Sequence, residues 1–96
     1  MEKVGYVYIL FNRKNGALYT GITSDIIKRV HEHKNKQVEG FSSRYGTDKL
    51  GYYEIHESVV SAIEREKQIK GGSRNSKLTL IESVNPEWKD LYDSIV

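Results

Sequence analysis

The chain of 96 residues contains no cysteine, which excludes a disulfide framework, a thiolate nucleophile and a zinc site built on sulfur. Long hydrophobic runs are also absent. The apolar run Val7 to Phe11 is far too short for a secretory signal, and no run approaches the length that spans a membrane. We therefore expect a cytoplasmic protein whose modest core needs neither disulfides nor a structural metal.

A strong excess of charge of one sign is missing as well. Lys plus Arg total 15 and Asp plus Glu total 13, a formal net charge of +2, which is too small to indicate nucleic-acid binding by itself. The basic residues are concentrated at residues 28–36 and 65–77, whereas the carboxy-terminal tail is acidic. This distribution suits a basic working face with an acidic back, although two solvated helices would show a similar pattern.

Two segments rich in β-branched and aromatic residues are predicted to form a hairpin. Residues 5–12 and 17–23 flank Asn15-Gly16, the strongest short hairpin signal a sequence offers. A two-residue turn would pair Lys14 with Ala17, and that register puts Tyr8 and Tyr19 on the same, more polar face. A loop longer or shorter by one residue would break this assignment. The other face is predicted to be nearly continuous and apolar, with Val7, Ile9, Phe11, Leu18, Thr20 and Ile22.

The rest of the chain is predicted to contain helices and one more strand. Capping residues and apolar periodicity predict helices at about residues 25–35, 58–71, 74–84 and 86–95, and a strand at residues 49–56. Residues 38–47 resemble a loop, with two glycines and two serines. The last two helices have apolar faces and look structural.

One carboxylate lies among predicted core positions. In the helix at residues 58–71, Val59, Ala62, Ile63 and Ile69 mark the buried side, and Glu66 falls within that stripe. A carboxylate in such a place is costly unless a cation or hydrogen-bond donors receive it. Glu66 is therefore a stronger candidate for function than its neighbour Glu64, which points elsewhere.

Five polar residues recur at spacings that ordinary packing does not demand. Arg29 and His33 are four residues apart, so they should lie on one side of their helix, next to its apolar stripe. Two phenols, a fixed cation, an imidazole and a carboxylate are suited to attack on a phosphodiester with a bound divalent metal. Each residue alone has an ordinary structural explanation, and only the joint pattern favours a nuclease. The five are Tyr8, Tyr19, Arg29, His33 and Glu66.

This joint pattern resembles the GIY-YIG nuclease superfamily over almost the whole chain. The two strand motifs of the family match Val7-Tyr8 and Tyr19-Thr20-Gly21, and its helix arginine, histidine and metal-binding glutamate match Arg29, His33 and Glu66. The first motif lacks its leading glycine and isoleucine, and Thr20 stands where isoleucine is common. Other segments resemble the small standalone bacterial members of the uncharacterised UPF0213-like group: Arg44-Tyr45, Tyr52-Tyr53-Glu54, Lys70-Gly71-Gly72-Ser73-Arg74 and Asn85-Pro86-Glu87-Trp88.

The resemblance implies an α+β fold, with a small three-stranded antiparallel sheet flanked by helices. We expect one domain over residues 1–96, with a core at about residues 4–83 and a carboxy-terminal helix at about residues 86–95. The late polar residue of the family has only a weak counterpart in Asn75.

The resemblance also implies metal-dependent hydrolysis of DNA phosphodiester bonds. Glu66 would hold one Mg²⁺ or Mn²⁺, and Arg29 would neutralise charge on the scissile phosphate. Tyr8 or Tyr19 would orient or deprotonate the attacking water, and the sequence does not distinguish the two phenols. His33 would hydrogen-bond to phosphate or to a tyrosine.

DNA, branched or single-stranded, is the expected partner of a monomeric protein that does not bind membranes. Target choice would come from DNA shape or from a protein partner, because so short a chain has no separate DNA-reading module. Two alternatives stay open: a DNA-binding module with weak or no turnover, and a protein-interaction domain that uses its tyrosines as contacts. The residues expected to contact flanking phosphates are Lys28, Arg44, Lys67 and Lys70.

Overall fold

A computed structural model describes residues 3–96 and contains an antiparallel sheet of three strands. The strands are β1 (Gly5–Phe11), β2 (Leu18–Thr23) and β3 (Lys49–His56), in the order β2-β1-β3. The helices are α1 (Ile26–Lys34), α2 (Phe41–Tyr45), α3 (Val59–Gly71), α4 (Arg74–Val84) and α5 (Tyr92–Ile95). The predicted α+β class and sheet are confirmed.

The β1–β2 hairpin has a longer loop than the predicted two-residue turn. Tyr8 pairs with Gly21, a register that differs by two residues from the predicted one. The side chain of Asn12 accepts a hydrogen bond of 2.9 Å from the Ala17 N–H and so stabilises the longer loop. Because side chains alternate with a period of two along a strand, the shift leaves every residue on its predicted face.

Helices cover both faces of the sheet. On one face Val7, Ile9 and Phe11 pack with α3, α4 and Trp88. On the other face Tyr8 and Leu10 pack with α1, and Tyr19 lies at the edge of this second cluster. The prediction that both motif tyrosines share a face is therefore confirmed.

The predicted loop at residues 38–47 contains the short helix α2. Gly40 and Gly46 flank this helix with φ angles of +102° and +65°, which are backbone conformations that glycine adopts without strain. Ser42, the second residue of α2, is buried. The sequence prediction missed this helix because five residues are too few for an apolar period to be visible.

The predicted helix at residues 86–95 is wrong over most of its length, since only Tyr92–Ile95 is helical. The buried side chain of Asn85 donates to the carbonyl oxygens of Gly51 (3.3 Å) and Lys89 (2.7 Å). The Leu91 N–H donates to the Leu50 carbonyl at 2.8 Å. Residues 85–91 therefore lie along β3 and satisfy part of its free edge, a pairing that competes with a helix.

The buried side of α3 is narrower than predicted, and Val59 is only half-buried. Ala62 and Ile69 are buried as expected, but Ile63 is 38% exposed. The side of α3 that faces the sheet is centred on Ala62, Glu66 and Ile69, and Ile63 lies at its margin.

Candidate active site

Tyr8 lies at the centre of the candidate site, in the middle strand of the sheet. Its side chain is only 2% exposed, and its hydroxyl is 3.1 Å from Nε2 of His33 on α1. The ring of Tyr19, on β2, has its centroid 6.3 Å from that of Tyr8 and 5.2 Å from that of His33. The fold thus brings three of the five predicted residues into direct contact.

His33 is buried, with 3% exposure. Its Nδ1 lies 2.7 Å from the hydroxyl oxygen of Ser42, which in turn donates to the Thr47 carbonyl at 2.9 Å. The pKa of His33 falls to about 4, first because burial disfavours the imidazolium and then because Arg29 repels it, while Glu32 opposes the change. His33 is therefore neutral at physiological pH.

The charged residues of the predicted set act on the Tyr8 phenol. Burial raises the pKa of Tyr8 well above its ordinary value, and the neighbouring Tyr19 adds to this rise. Arg29 lowers the same pKa, whereas Glu66 and Glu32 raise it. Arg29 and Glu66 thus both contribute to the electrostatic environment of the Tyr8 phenol, with opposite signs.

Arg29 and Glu66 have different surroundings. The Arg29 side chain is 40% exposed, and its guanidinium is 3.5 Å from the carboxylate of Glu32. The Glu66 side chain is 13% exposed and lies 3.1 Å from the ammonium group of Lys70. Glu64 is exposed, so the helix-phase argument that separated the two glutamates agrees with their burial.

The predicted phosphate contacts are spread over three helices. Lys28 borders a polar groove together with Arg29 and Glu32 on α1, and Lys67 is exposed on α3. Arg44, on α2, places its guanidinium 5.6 Å from the ring centroid of Tyr45. Lys70 is half exposed and pairs with Glu66, so in this structure its charge is directed to the carboxylate. Asn75 is exposed on α4, where its carbonyl accepts a bond from Thr79.

Residues of α2 complete the site, and the sequence prediction missed them. Ser42 contacts Nδ1 of His33, on the opposite side of the ring from Tyr8, and Thr47, just beyond α2, bonds to Ser42; both residues are buried. The rings of Tyr19 and Phe41 stack with an interplanar angle of 25° and centroids 6.3 Å apart. The ring centroids of Phe41 and Tyr45 are 4.5 Å apart. Phe41 and Tyr45 are 45% and 47% exposed. Two glycines around a short segment with aromatic ends were the only signal of this element.

The donor set around Glu66 fits one kind of metal ion. Within residues 3–96 no group of three or more His, Asp or Glu side chains converges as a cage for a metal. A single shielded carboxylate suits a hard divalent cation that takes its other ligands from water and from substrate phosphate. Mg²⁺ and Mn²⁺ bind in this way, and Glu66 is the residue that would hold one.

A family model of the GIY-YIG catalytic domain matches residues 4–79 of the chain. The chain belongs to the GIY-YIG family. GIY-YIG domains form a nuclease family, and the resemblance inferred from the motifs is confirmed. Within residues 3–96, no helix of this GIY-YIG protein is both long and apolar enough to span a bilayer.

Relatives of this GIY-YIG chain match it over most of its length. A UPF0213 protein of Staphylococcus saprophyticus is 40% identical over 76 residues, which cover 79% of this chain and 92% of the relative. A UPF0213 protein of Clostridium perfringens is 41% identical over 80 residues, covering 83% and 85%. The solution NMR structure of a UPF0213 protein from Bacillus halodurans aligns with a TM-score of 0.51 and 27% identity, covering 96% of this chain and 94% of that one.

Proposed function

We propose that this GIY-YIG protein is a divalent-metal-dependent endonuclease that hydrolyses phosphodiester bonds in DNA. The observation that supports it most is the arrangement around Tyr8, where a buried phenol and a neutral imidazole lie in the field of Arg29 and Glu66. A cation, a carboxylate and hydrogen-bonding groups at one place are what in-line attack on phosphate requires.

Arg29 would bind the scissile phosphate. Its guanidinium is always protonated, and its exposure leaves it accessible to substrate. The contact with Glu32 at 3.5 Å is a partly exposed ion pair of the i,i+3 type, which contributes little to stability and can be exchanged for phosphate. Arg29 would then stabilise the additional negative charge of the transition state.

Glu66 would hold one Mg²⁺ or Mn²⁺. When bound, such an ion polarises a phosphate oxygen and lowers the pKa of a coordinated water. Glu66 itself is suited to this position because its side chain is largely shielded from water, at 13% exposure, and lies on the same side of α3 as the buried residues Ala62 and Ile69. Lys70 neutralises the carboxylate at 3.1 Å while no substrate is bound.

The two phenols would have separate roles. Tyr8 is buried and its pKa is raised, so it stays protonated and serves to orient a neighbour through hydrogen bonds. Tyr19 is partly exposed on β2, which makes it the phenol that an attacking water can reach. His33 contacts Tyr8 and is buried, so its role is to position Tyr8.

Basic and aromatic side chains next to the site support DNA as the substrate. Lys28, Arg44, Lys67 and Lys70 would contact flanking phosphates, which makes affinity dependent on salt and largely independent of sequence. Phe41 and Tyr45 expose aromatic rings on which unpaired bases can stack, and this favours branched or single-stranded DNA. Target choice would then follow DNA shape or a protein partner of the monomer.

The alternative function is a DNA-binding module with weak or no turnover on the same scaffold. The Glu66–Lys70 ion pair favours this alternative, because Lys70 occupies the only carboxylate proposed to bind metal. A cleavage assay separates the two functions. Single-stranded, branched, nicked and duplex DNA would be incubated with Mg²⁺ or Mn²⁺, and binding would be measured separately in EDTA.

The variants are chosen to separate chemistry from binding. Glu66→Ala and Arg29→Ala should lower the cleavage rate on the order of 100-fold or more, as loss of a charge-stabilising group does, and Glu66→Ala should still bind DNA. Glu64→Ala is the matched control on the same helix and should retain activity. Binding without cleavage of any substrate by the parent protein would establish the module, and the absence of salt-sensitive binding would exclude both functions.

A further inference from the structure

We infer that Ser42, supported by Thr47, is a positioning residue that holds His33 as the tautomer protonated on Nδ1, so that Nε2 accepts the hydrogen of the Tyr8 hydroxyl. This inference rests on the proposed function for its catalytic consequence. The tautomer itself follows from hydrogen bonds alone. The chain of contacts runs from Tyr8 on β1 through His33 on α1 to Ser42 on α2 and then to Thr47.

The Thr47 carbonyl decides where the protons lie. Its oxygen can only accept, and it is 2.9 Å from the Ser42 hydroxyl oxygen, so the single hydrogen of Ser42 is directed to it. Ser42 can then only accept from its other two neighbours. One is the Thr47 hydroxyl at 2.9 Å, and the other is His33 Nδ1 at 2.7 Å. A neutral imidazole that carries its hydrogen on Nδ1 has a free lone pair on Nε2.

The opposite tautomer would leave polar atoms unsatisfied. If Ser42 donated to Nδ1, its lone pair would face the Thr47 carbonyl oxygen across 2.9 Å, which is repulsive. Water cannot relieve this conflict, because His33, Ser42 and Thr47 are 3%, 4% and 0% exposed. In the inferred arrangement every hydrogen of the network has an acceptor. The opposite tautomer is disfavoured because a buried polar atom without a hydrogen-bond partner costs free energy.

The tautomer sets the polarity of Tyr8 toward the site. When Nε2 accepts the phenol hydrogen, the Tyr8 oxygen presents only lone pairs to the site and can accept a hydrogen bond from a neighbouring donor that it orients. With hydrogen on Nε2, Tyr8 would accept from His33 and turn its own hydrogen toward the site. Ser42 therefore determines whether Tyr8 acts as acceptor or donor there. Ser42 lies on α2, which Gly40 and Gly46 flank with positive φ angles.

The tautomer can be measured directly. Long-range ¹⁵N–¹H correlation spectra of the uniformly labelled, metal-free protein report both ring nitrogens of His33. At pH 7 we expect a protonated, pyrrole-type Nδ1 and an unprotonated, pyridine-type Nε2. Hydrogen on Nε2 in the parent protein, or an unresolved mixture of tautomers, would overturn the inference without any variant.

Variants then assign the effect to Ser42. Ser42→Ala removes the acceptor of Nδ1 and should shift the spectrum toward hydrogen on Nε2, whereas Ser42→Thr, which keeps a hydroxyl, should restore the parent pattern. Thr47→Val keeps the decisive carbonyl, and Ser43→Ala changes a neighbouring serine of α2. Both controls should retain the parent tautomer. A spectrum unchanged by Ser42→Ala would exclude a role for Ser42.

The kinetic expectation follows from the same variants on an oligonucleotide that the parent cleaves. Ser42→Ala should lower kcat about 10-fold or more, as loss of a residue that orients a site imidazole does, with KM within about twofold. An unchanged kcat with a shifted tautomer would contradict the positioning role. If the parent protein cleaves nothing, the proposed function fails while the spectra still decide the tautomer.

Discussion

Gly21 lies opposite Tyr8 in the β1–β2 pair, and its missing side chain makes the space that the phenol occupies. A Cβ built on Gly21 would be 2.4 Å from the Tyr8 hydroxyl oxygen and 2.5 Å from its Cζ. Tyr8 cannot move aside easily, because it is 2% exposed and hydrogen-bonded to His33. The glycine of the second motif is thus required by the tyrosine of the first.

Replacement of this glycine should destabilise the fold. Gly21→Ala inserts a methyl group into an occupied place, and overpacking of this kind costs about 1–3 kcal/mol of the free energy of unfolding. Urea denaturation at pH 7 measures it. The matched control is Gly71→Ala at the end of α3, where a Cβ would meet no atom within 4 Å, and its effect should be neutral or slightly stabilising. Equal midpoints for Gly21→Ala and the parent would show that the phenol is not held as described.

Lys70 should compete with the metal ion for Glu66. The Lys70 side chain is 52% exposed although Glu66 is only 13% exposed, and a helical i,i+4 ion pair with an exposed ammonium contributes roughly 0.2–1 kcal/mol. In Lys70→Ala, the Mg²⁺ concentration for half-maximal cleavage should therefore fall about 2- to 5-fold. Lys67→Ala, an exposed cation on the same helix, serves as the control. If both variants shift the metal requirement equally, general electrostatics and not the ion pair is the cause.

The folded protein should lose stability as the pH falls from about 6.5 to about 4 because of His33. In the folded state the pKa of His33 is about 4, against an ordinary value of 6.5, chiefly through burial. The unfolded chain takes up this proton below pH 6.5 and the folded chain does not, so acid favours unfolding across that interval. NMR titration of the His33 ring checks the premise. A midpoint near 6.5 in the folded protein would contradict it.

Glu54 should produce a second loss of stability at lower pH. Burial alone would raise the pKa of this carboxyl, but hydrogen bonds from Arg65, Tyr52 and His56 outweigh it and lower the pKa to about 2 from 4.5. The stabilisation is present above pH 4.5 and disappears as the pH falls from 4.5 to about 2. Its total is on the order of 3 kcal/mol.

The variant Glu54→Gln tests this second interval. Its free energy of unfolding should be lower than that of the parent at pH 7, and it should change less between pH 4.5 and pH 2. Glu64→Gln is the control, because Glu64 is an exposed carboxylate on α3. Parallel pH profiles for Glu54→Gln and the parent would show that the network with Arg65 does not depend on the charge of Glu54.

Local patterns in the sequence were sufficient to predict the strands, the longer helices and the two faces of the hairpin. The face assignment of Tyr8 and Tyr19 was right although the loop extends over residues 12–17 and not only over Asn15-Gly16. A register shift of two residues preserves the alternation of side chains along a strand. Glu66 was distinguished from Glu64 by helix phase. Both results depend on periodicity, which residues near each other in the chain determine.

Contacts between distant segments determined the course of residues 85–91 and the role of α2 in the candidate site. Asn85 donates a hydrogen bond to the carbonyl of Gly51, which is 34 residues away, so residues 85–91 follow β3 despite a good helix start at Asn85-Pro86. Ser42 belongs to the candidate site because it bonds to His33 and Thr47, and no periodicity in α2 predicts these contacts. A local pattern encodes which face of an element is apolar, but the partner of a buried polar group depends on how the elements pack.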